Sequence, residues 1–247
     1  MNDIRDRAIE RTRESLKQAA DRDRLMMKAV DMLDQVNNDL NAEMERLRDW
    51  YAIHFPELED EIGDSEDFVN ILSRGVRRDE LDAFSSMAED STGAELLEED
   101  YRILEKTVET VEKKFEYRED LEEYIQSVAE EETPNLSALL GPLLTARLLS
   151  LAGGLEDMAK KPSSTVQMLG AEKALFRYLR GEGTPPKHGI LFQHEFISSL
   201  PDSERGKMAR FLANKAVIAA RLDAYGDKEK GGELREECRD KYEELKD

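Results

Sequence analysis

Cysteine, histidine and aromatic residues are scarce in this chain, and each shortage removes a class of explanation. Cys238 is the only cysteine among 247 residues, so an intrachain disulfide framework and a cysteine-based metal site are excluded. Cys238 itself reads as an incidental thiol on a C-terminal helix. The three histidines, His54, His188 and His194, offer neither metal-ligand spacing nor a Ser-His-Asp arrangement. There is no GxxxxGK phosphate loop and no GxGxxG fingerprint. With little else to carry acid–base chemistry, the expectation is a non-enzyme without metal or cofactor. No run approaches the ~20 apolar residues of a membrane span. The opening MNDIRDRAIE lacks the apolar stretch of a secretory signal. A protein of an intracellular, reducing compartment, with no membrane partner, is expected.

What is abundant is charge. Charged residues make up 37% of the chain and the formal net charge is −20, a poor composition for a nucleic-acid binder. The total hides a segregation, however. Residues 1–133 carry 18 Lys+Arg against 39 Asp+Glu, 134–226 carry 12 against 8, and 227–247 carry 6 against 9. The middle block is a cationic module in an acidic protein, and an RNA partner would go there.

The acidic part reads as an all-α hairpin. Met26, Val30, Leu33, Asn37, Leu40, Met44, Leu47 and Tyr51 alternate steps of four and three, the signature of a coiled-coil seam. Leu16 and Ala19 extend it backwards. Asn37 would be a buried amide that fixes register. Leu97, Tyr101, Leu104, Val108, Val111 and Phe115 repeat the alternation. It slips at Arg118 and resumes at Leu121, Ile125 and Val128, as a stammer does. The two helices are expected to pair as a long antiparallel coiled-coil hairpin over 1–131 and to support a dimer. Between them, 52–95 is punctuated by Pro56, Gly63, Gly75 and Gly93 and reads as a small tip of two or three short helices. The run Glu57, Glu59, Asp60, Glu61 lacks EF-hand spacing and reads as a solvated face.

At Glu130–Asn135 the character changes, and a globular helical domain is expected over 132–226. A helical stretch Leu136–Leu151 should stop at Gly153-Gly154, and Leu155–Lys160 should form a short helix. In PSSTVQMLGAEKALFR, residues 162–177, Ser163, Ser164 and Thr165 offer N-cap oxygens. Lys173 and Arg177, four apart, project from one helical face and suit a phosphate backbone. Residues 181–189, with Pro185 and Pro186, form a loop delivering Lys187 and His188 to the surface. A last helical stretch, Glu204–Leu222, carries Arg205, Lys207, Arg210 and Lys215. The charged tail 227–247 should be helical but prone to fray.

The strings TPNLSALLGPLLTARLLSLAGGLEDMAKKPSSTVQMLGAEKALFRYLRG, TPPKHGILFQHEFISSLP and RGKMARFLANKAVIAARLDAYG closely resemble the Nop domain of box C/D ribonucleoprotein core proteins. RLRDWYAIHFPEL at 46–58 is similar to that family's coiled-coil region, and length together with PPKHG looks closest to its archaeal members. The resemblance implies a scaffold for guide-directed RNA 2′-O-methylation. It would bind a guide RNA with a kink-turn together with the ribosomal-protein-like kink-turn-binding partner, and would dimerise through the coiled coil. Its place would be the cytoplasm of an archaeon, or the nucleus or nucleolus of a eukaryote. The composite RNA/RNP surface it implies would use Lys160, Lys161, Lys173, Arg177, Lys187, Arg205, Lys207 and Arg210 on phosphates. His188 or His194 would stack on a base or bond a phosphate, and Gly170 and Ala171 would give close approach. Glu172 would bond a base, a partner cation or its own helix. The family's N-terminal domain, which docks the fibrillarin methyltransferase, has no counterpart ahead of the hairpin, so fibrillarin stands as a doubtful partner. Two further readings are a spliceosomal pre-mRNA-processing relative on a small nuclear RNP, and a coiled-coil interaction protein without RNA function.

Overall fold

The computed structural model describes residues 22–226 and 229–246; the backward extension of the seam to Leu16 and Ala19 lies outside them. The described residues are mostly helical, with no strand among them. They divide into two compact units, Met32–Leu121 and the remainder. The divisions fall inside the two long helices rather than at residues 131 and 132.

Those helices are α1 (Arg22–Tyr51) and α5 (Glu98–Glu132). Within the first unit they run antiparallel: Glu43 on α1 pairs with Lys114 on α5 at 2.5 Å, while Trp50 and Ile103 line one groove. Leu33, Leu40, Met44, Leu47 and Tyr51 are buried, as are Tyr101, Leu104, Val108, Val111, Phe115 and Leu121. Two expectations fail in this stripe. Asn37 is only half-buried and Val36 takes the interior position. An unpaired amide inside would cost about 1–3 kcal/mol, and a helix of 3.6 residues per turn drifts far enough against a 3.5 repeat to bring the valine in. Leu97, meant to open the second stripe, is 67% exposed, because it precedes the first turn of α5. At the stammer, Arg118 leaves the stripe to pair with Glu66 at 2.8 Å and lie over the Phe115 ring.

The tip of this unit holds α2 (Pro56–Glu61), α3 (Ser65–Leu72) and α4 (Ser85–Glu89), with two 3-10 turns before α4. Asp64 caps α3 by accepting from the Glu66 and Asp67 amides. Phe55, Leu58, Phe68, Leu72 and Val76 fill its interior. Glu57, from the acidic run, accepts from Ser91 Oγ and from the amide and hydroxyl of Thr92. These bonds draw its carboxyl down to about 2, the serine hydroxyl contributing most.

The second unit begins at the base of α1 and α5, where Met26, Val30, Ile125 and Val128 are buried and Arg22 meets Glu131 at 3.2 Å. There follow α6 (Pro134–Leu140), α7 (Pro142–Ala152), α8 (Leu155–Lys160), α9 (Ser163–Met168), α10 (Glu172–Leu179), α11 (Glu195–Ser198), α12 (Asp202–Tyr225) and α13 (Gly231–Lys246). The stretch expected as one helix from 136 is broken at Gly141-Pro142. Gly141 has φ +82 and the two segments bend by 115°; proline cannot continue a helix but can open the next one. α7 does end at a left-handed Gly153. No helix among the described residues is long and apolar enough by itself to cross a membrane. The bent pair is core: Leu136, Leu139, Leu148 and Leu149 are fully buried.

α12 is the centre of this unit. Met208, Leu212 and Val217 alternate with buried Ala209, Ala213, Ala216, Ala219 and Ala220, and small residues let neighbouring helices approach closely. α13 closes the unit rather than fraying. Leu234 and Cys238, four apart, are buried, and Tyr242 stacks on Phe196 with ring centroids 5.2 Å apart. Burial pushes the Cys238 thiol up to about 12, which leaves it an inert core group.

Candidate nucleic-acid interface

Two turns position the site. Gly170 has φ +82, and a Cβ there would lie 3.2 Å from the Ile190 nitrogen. Gly189 is tighter still: its Cβ would sit 1.8 Å from the Leu169 carbonyl oxygen. Only glycine permits both approaches. The Ile190 amide donates to Leu169 at 2.7 Å and the Gly189 amide to Gln167 at 2.9 Å. The Gln167 side chain donates to the Lys187 carbonyl at 2.7 Å. Loop 181–189 is thereby tied to the turn that starts α10. The serine and threonine hydroxyls at 163–165 do not cap α9; Pro162 holds the N-cap position without a side-chain bond. The helix starts one residue earlier than a hydroxyl cap needs.

α10 emerges from that turn with Lys173 and Arg177 exposed one turn apart. Among the described residues, neither side chain has an ion-pair or hydrogen-bond partner, and the same is true of the exposed Arg210 on α12. Glu172 turns back to accept from the Gly170 amide at 2.9 Å, so of its three expected roles it takes the one on its own helix. Ala171 is buried and cannot meet a ligand. α10 also leaves Phe176 61% and Leu179 68% exposed, beside the cations.

Arg177 forms one wall of a cleft of about 650 Å³ whose other walls are Glu182, Pro186, Lys187, His188 and Asp202. Three of the expected residues, Arg177, Lys187 and His188, therefore come together. His188 is half-buried and stacks on Phe192, with centroids 4.6 Å apart and planes at 13°, and the Arg205 guanidinium lies over the same Phe192 ring at 5.2 Å. Burial first, then Arg205, holds the His188 imidazole below the ordinary histidine range. It enters the cleft as a neutral, already stacked ring.

The remaining expected residues do not line the cleft. Lys160 is paired with Glu156 at 3.0 Å, and Lys161 follows it at the end of α8. Lys207 is paired with Glu204 at 2.7 Å. Arg205 spends its guanidinium on the Leu200 carbonyl at 2.8 Å and the Ser198 carbonyl at 3.4 Å. His194 is core: Nδ1 accepts from the Phe196 amide at 3.2 Å, which leaves Nε2 to donate to the Leu139 carbonyl at 3.2 Å. A base cannot reach it. In the hairpin, Leu33, Leu40, Met44, Leu47, Leu104, Val108, Val111 and Phe115 are buried within this one chain, so they do not form a face for a second copy. Asp202 escapes a reading of spacing, since an acid in the first turn of α12 looks like ordinary helix-dipole chemistry, and Glu182 escapes it because nothing in loop 181–189 is periodic.

Residues 32–244 match the Nop family, described as "snoRNA binding domain, fibrillarin". The chain is 39% identical over 223 residues to an uncharacterized NOP5 family protein of Methanocaldococcus jannaschii, covering 85% of this chain and 54% of that one. It is 36% identical over 233 residues to nucleolar protein 58 of Schizosaccharomyces pombe, covering 88% and 46%. With human nucleolar protein 56 it shares 35% over 223 residues, covering 83% and 38%. The chain thus spans about half the length of these relatives, or less. Among solved structures, a crystal structure of a fibrillarin/Nop5p complex matches with a TM-score of 0.59 and 28% identity, over 99% of this chain and 78% of the other.

Proposed function

The chain belongs to the Nop family, and on that premise we propose that it is a non-catalytic RNA-binding scaffold of a box C/D guide ribonucleoprotein. In this reading it binds a kink-turn RNA together with the protein already seated on that RNA. The observation that carries it is α10, in the chain's net-positive segment, where Lys173 and Arg177 stand exposed and, among the described residues, unpartnered, with Arg177 lining the cleft. Free cations supply affinity for phosphates without reading sequence. The exposed Phe176 and Leu179 beside them give the kink-turn protein an apolar surface to cover. The similar proteins carry NOP5 and nucleolar names, which favours the box C/D reading over the spliceosomal one.

Fibrillarin returns as a partner. It is named in the description of the matched family and in the complex that this chain resembles. The doubt rested only on where the chain begins, which carries no such conclusion. Dimerisation, with the stripe residues consumed inside the hairpin, would use the groove of about 400 Å³ lined by Trp50 and Ile103. The place of action follows the host: the nucleolus in a eukaryote, the cytoplasm in an archaeon.

The test is a gel-shift series with a kink-turn RNA, alone and with its bound kink-turn protein. Tight binding is expected only with the complex, weakening steeply as salt rises. No binding to either form at low salt would end the proposal.

A further inference from the structure

We propose that the Asp202 carboxylate is an internal stand-in for an RNA phosphate: it occupies the Lys187 ammonium in the free protein and yields it when RNA enters the cleft. The inference rests on the RNA-binding reading above and concerns how that site is held in check.

Lys187 is positioned from both ends. Its carbonyl is bonded by the Gln167 side chain at 2.7 Å. Its aliphatic stem crosses α12 at Gly206, where a Cβ would meet the stem carbons at 3.5–4.0 Å. The ammonium then reaches the first turn of α12. There it donates to the Asp202 backbone carbonyl at 3.0 Å and pairs with the Asp202 carboxylate. The carbonyl bond does not depend on the carboxylate, so Lys187 stays aimed when the carboxylate leaves.

The carboxylate is free to leave. Its side chain is 72% exposed, and among the described residues Lys187 is its only side-chain partner. Exposed pairs of this kind contribute little, because water screens them and both side chains lose freedom in forming them. Of the other carboxylates on this side of the unit, Glu172 is committed to the Gly170 amide and Glu204 to Lys207, while Glu182 lines the same cleft but makes no bond to Lys187. Asp202 holds only the lysine.

The surroundings suit an anion as well as they suit Asp202. Lys187 keeps the Asp202 carboxyl below its ordinary range, and Arg205 pushes the same way. Arg177 lines the same cleft. A phosphate there replaces one exposed anion with another that brings its own affinity from released counterions. A chain with a net charge of −20 thus keeps the Lys187 end of this cleft neutralised until a strong polyanion arrives.

The test is a double-mutant cycle, read by fluorescence anisotropy with a kink-turn RNA carrying its kink-turn protein. Asp202→Asn, with fold and melting temperature checked by circular dichroism, should bind about two- to fivefold more tightly at low salt. In a Lys187→Met background the same substitution should gain less than twofold, because there is no ammonium to release. Unchanged or weaker binding by Asp202→Asn overturns the proposal. So does an equal gain with and without Lys187, which would make Asp202 one more negative charge. If Arg177→Ala and Lys187→Met both leave the wild-type affinity unchanged, the RNA-binding reading itself falls, and the inference falls with it.

Discussion

Asp223, near the end of α12, accepts two hydrogen bonds from Asn135 through a single oxygen: from the backbone amide at 2.9 Å and from the side-chain nitrogen at 2.7 Å. Its second oxygen accepts from the Leu136 amide at 2.9 Å. The Asn135 side-chain oxygen in turn accepts from the Lys230 amide at 2.5 Å, just ahead of α13. One carboxylate thereby satisfies the open amides at the start of α6 and ties that helix to α12, and its asparagine partner ties both to the chain entering α13. Asp223→Ala leaves buried donors unpaired, each worth about 1–3 kcal/mol, so we expect a loss of about 2–3 kcal/mol in urea unfolding. A change below about 0.5 kcal/mol, the scale of ordinary surface substitutions, would mean that water replaces the carboxylate without penalty.

Arg177→Ala and Lys173→Ala remove charges that touch nothing else in the described chain. Each should weaken binding to the protein-loaded kink-turn RNA about threefold to tenfold and lower the slope of log K against log salt by about 0.7–0.9. The helical signal should be unchanged. An unaltered salt slope in either variant would remove that residue from the phosphate contacts.

Gly170 offers a test of the turn behind the cleft. Gly170→Ala must hold a left-handed φ of +82 with its Cβ 3.2 Å from the Ile190 nitrogen. The backbone conformation alone costs about 1–2 kcal/mol. Since the turn positions both α10 and loop 181–189, RNA affinity should fall along with stability. A variant as stable as wild type would show that the turn can relax.

Acid should destabilise the protein through its histidines. Burial holds His54, His188 and His194 below the ordinary 6.5, so the folded chain binds fewer protons than the unfolded one as pH falls below that value. Stability then decreases with falling pH from about 6.5 toward the folded values. By NMR, the His194 ring should titrate later than free imidazole. A midpoint at or above 6.5 would contradict its placement between Leu139 and Phe196.

Much of this architecture is legible in the sequence because it is periodic. The stripes on α1 and α5, the stammer at Arg118, the stop at Gly153 and the exposed pair Lys173/Arg177 all follow from local spacing. What escapes is of two kinds. Some is local but masked by a stronger signal: the apolar run from Leu136 conceals the break at Gly141-Pro142, and the charge of the tail conceals the Leu234/Cys238 pair that anchors α13. The rest is non-local. Lys187 meets Asp202 fifteen positions away, and Asp223 meets Asn135 eighty-eight positions away; no periodicity carries such pairs. For this reason spacing does not sort the candidate cations into paired and unpaired ones: among the described residues Lys161, Lys173, Arg177 and Arg210 have no side-chain partner, whereas Lys160, Lys187, Arg205 and Lys207 are engaged.

The central claim is that RNA lies against α10 and loop 181–189, and ultraviolet crosslinking of the kink-turn ribonucleoprotein to this chain, read by peptide mass spectrometry, addresses it directly. Crosslinked peptides should come from 172–188 and should diminish with Arg177→Ala. Crosslinks confined to the hairpin, 32–121, would contradict the account.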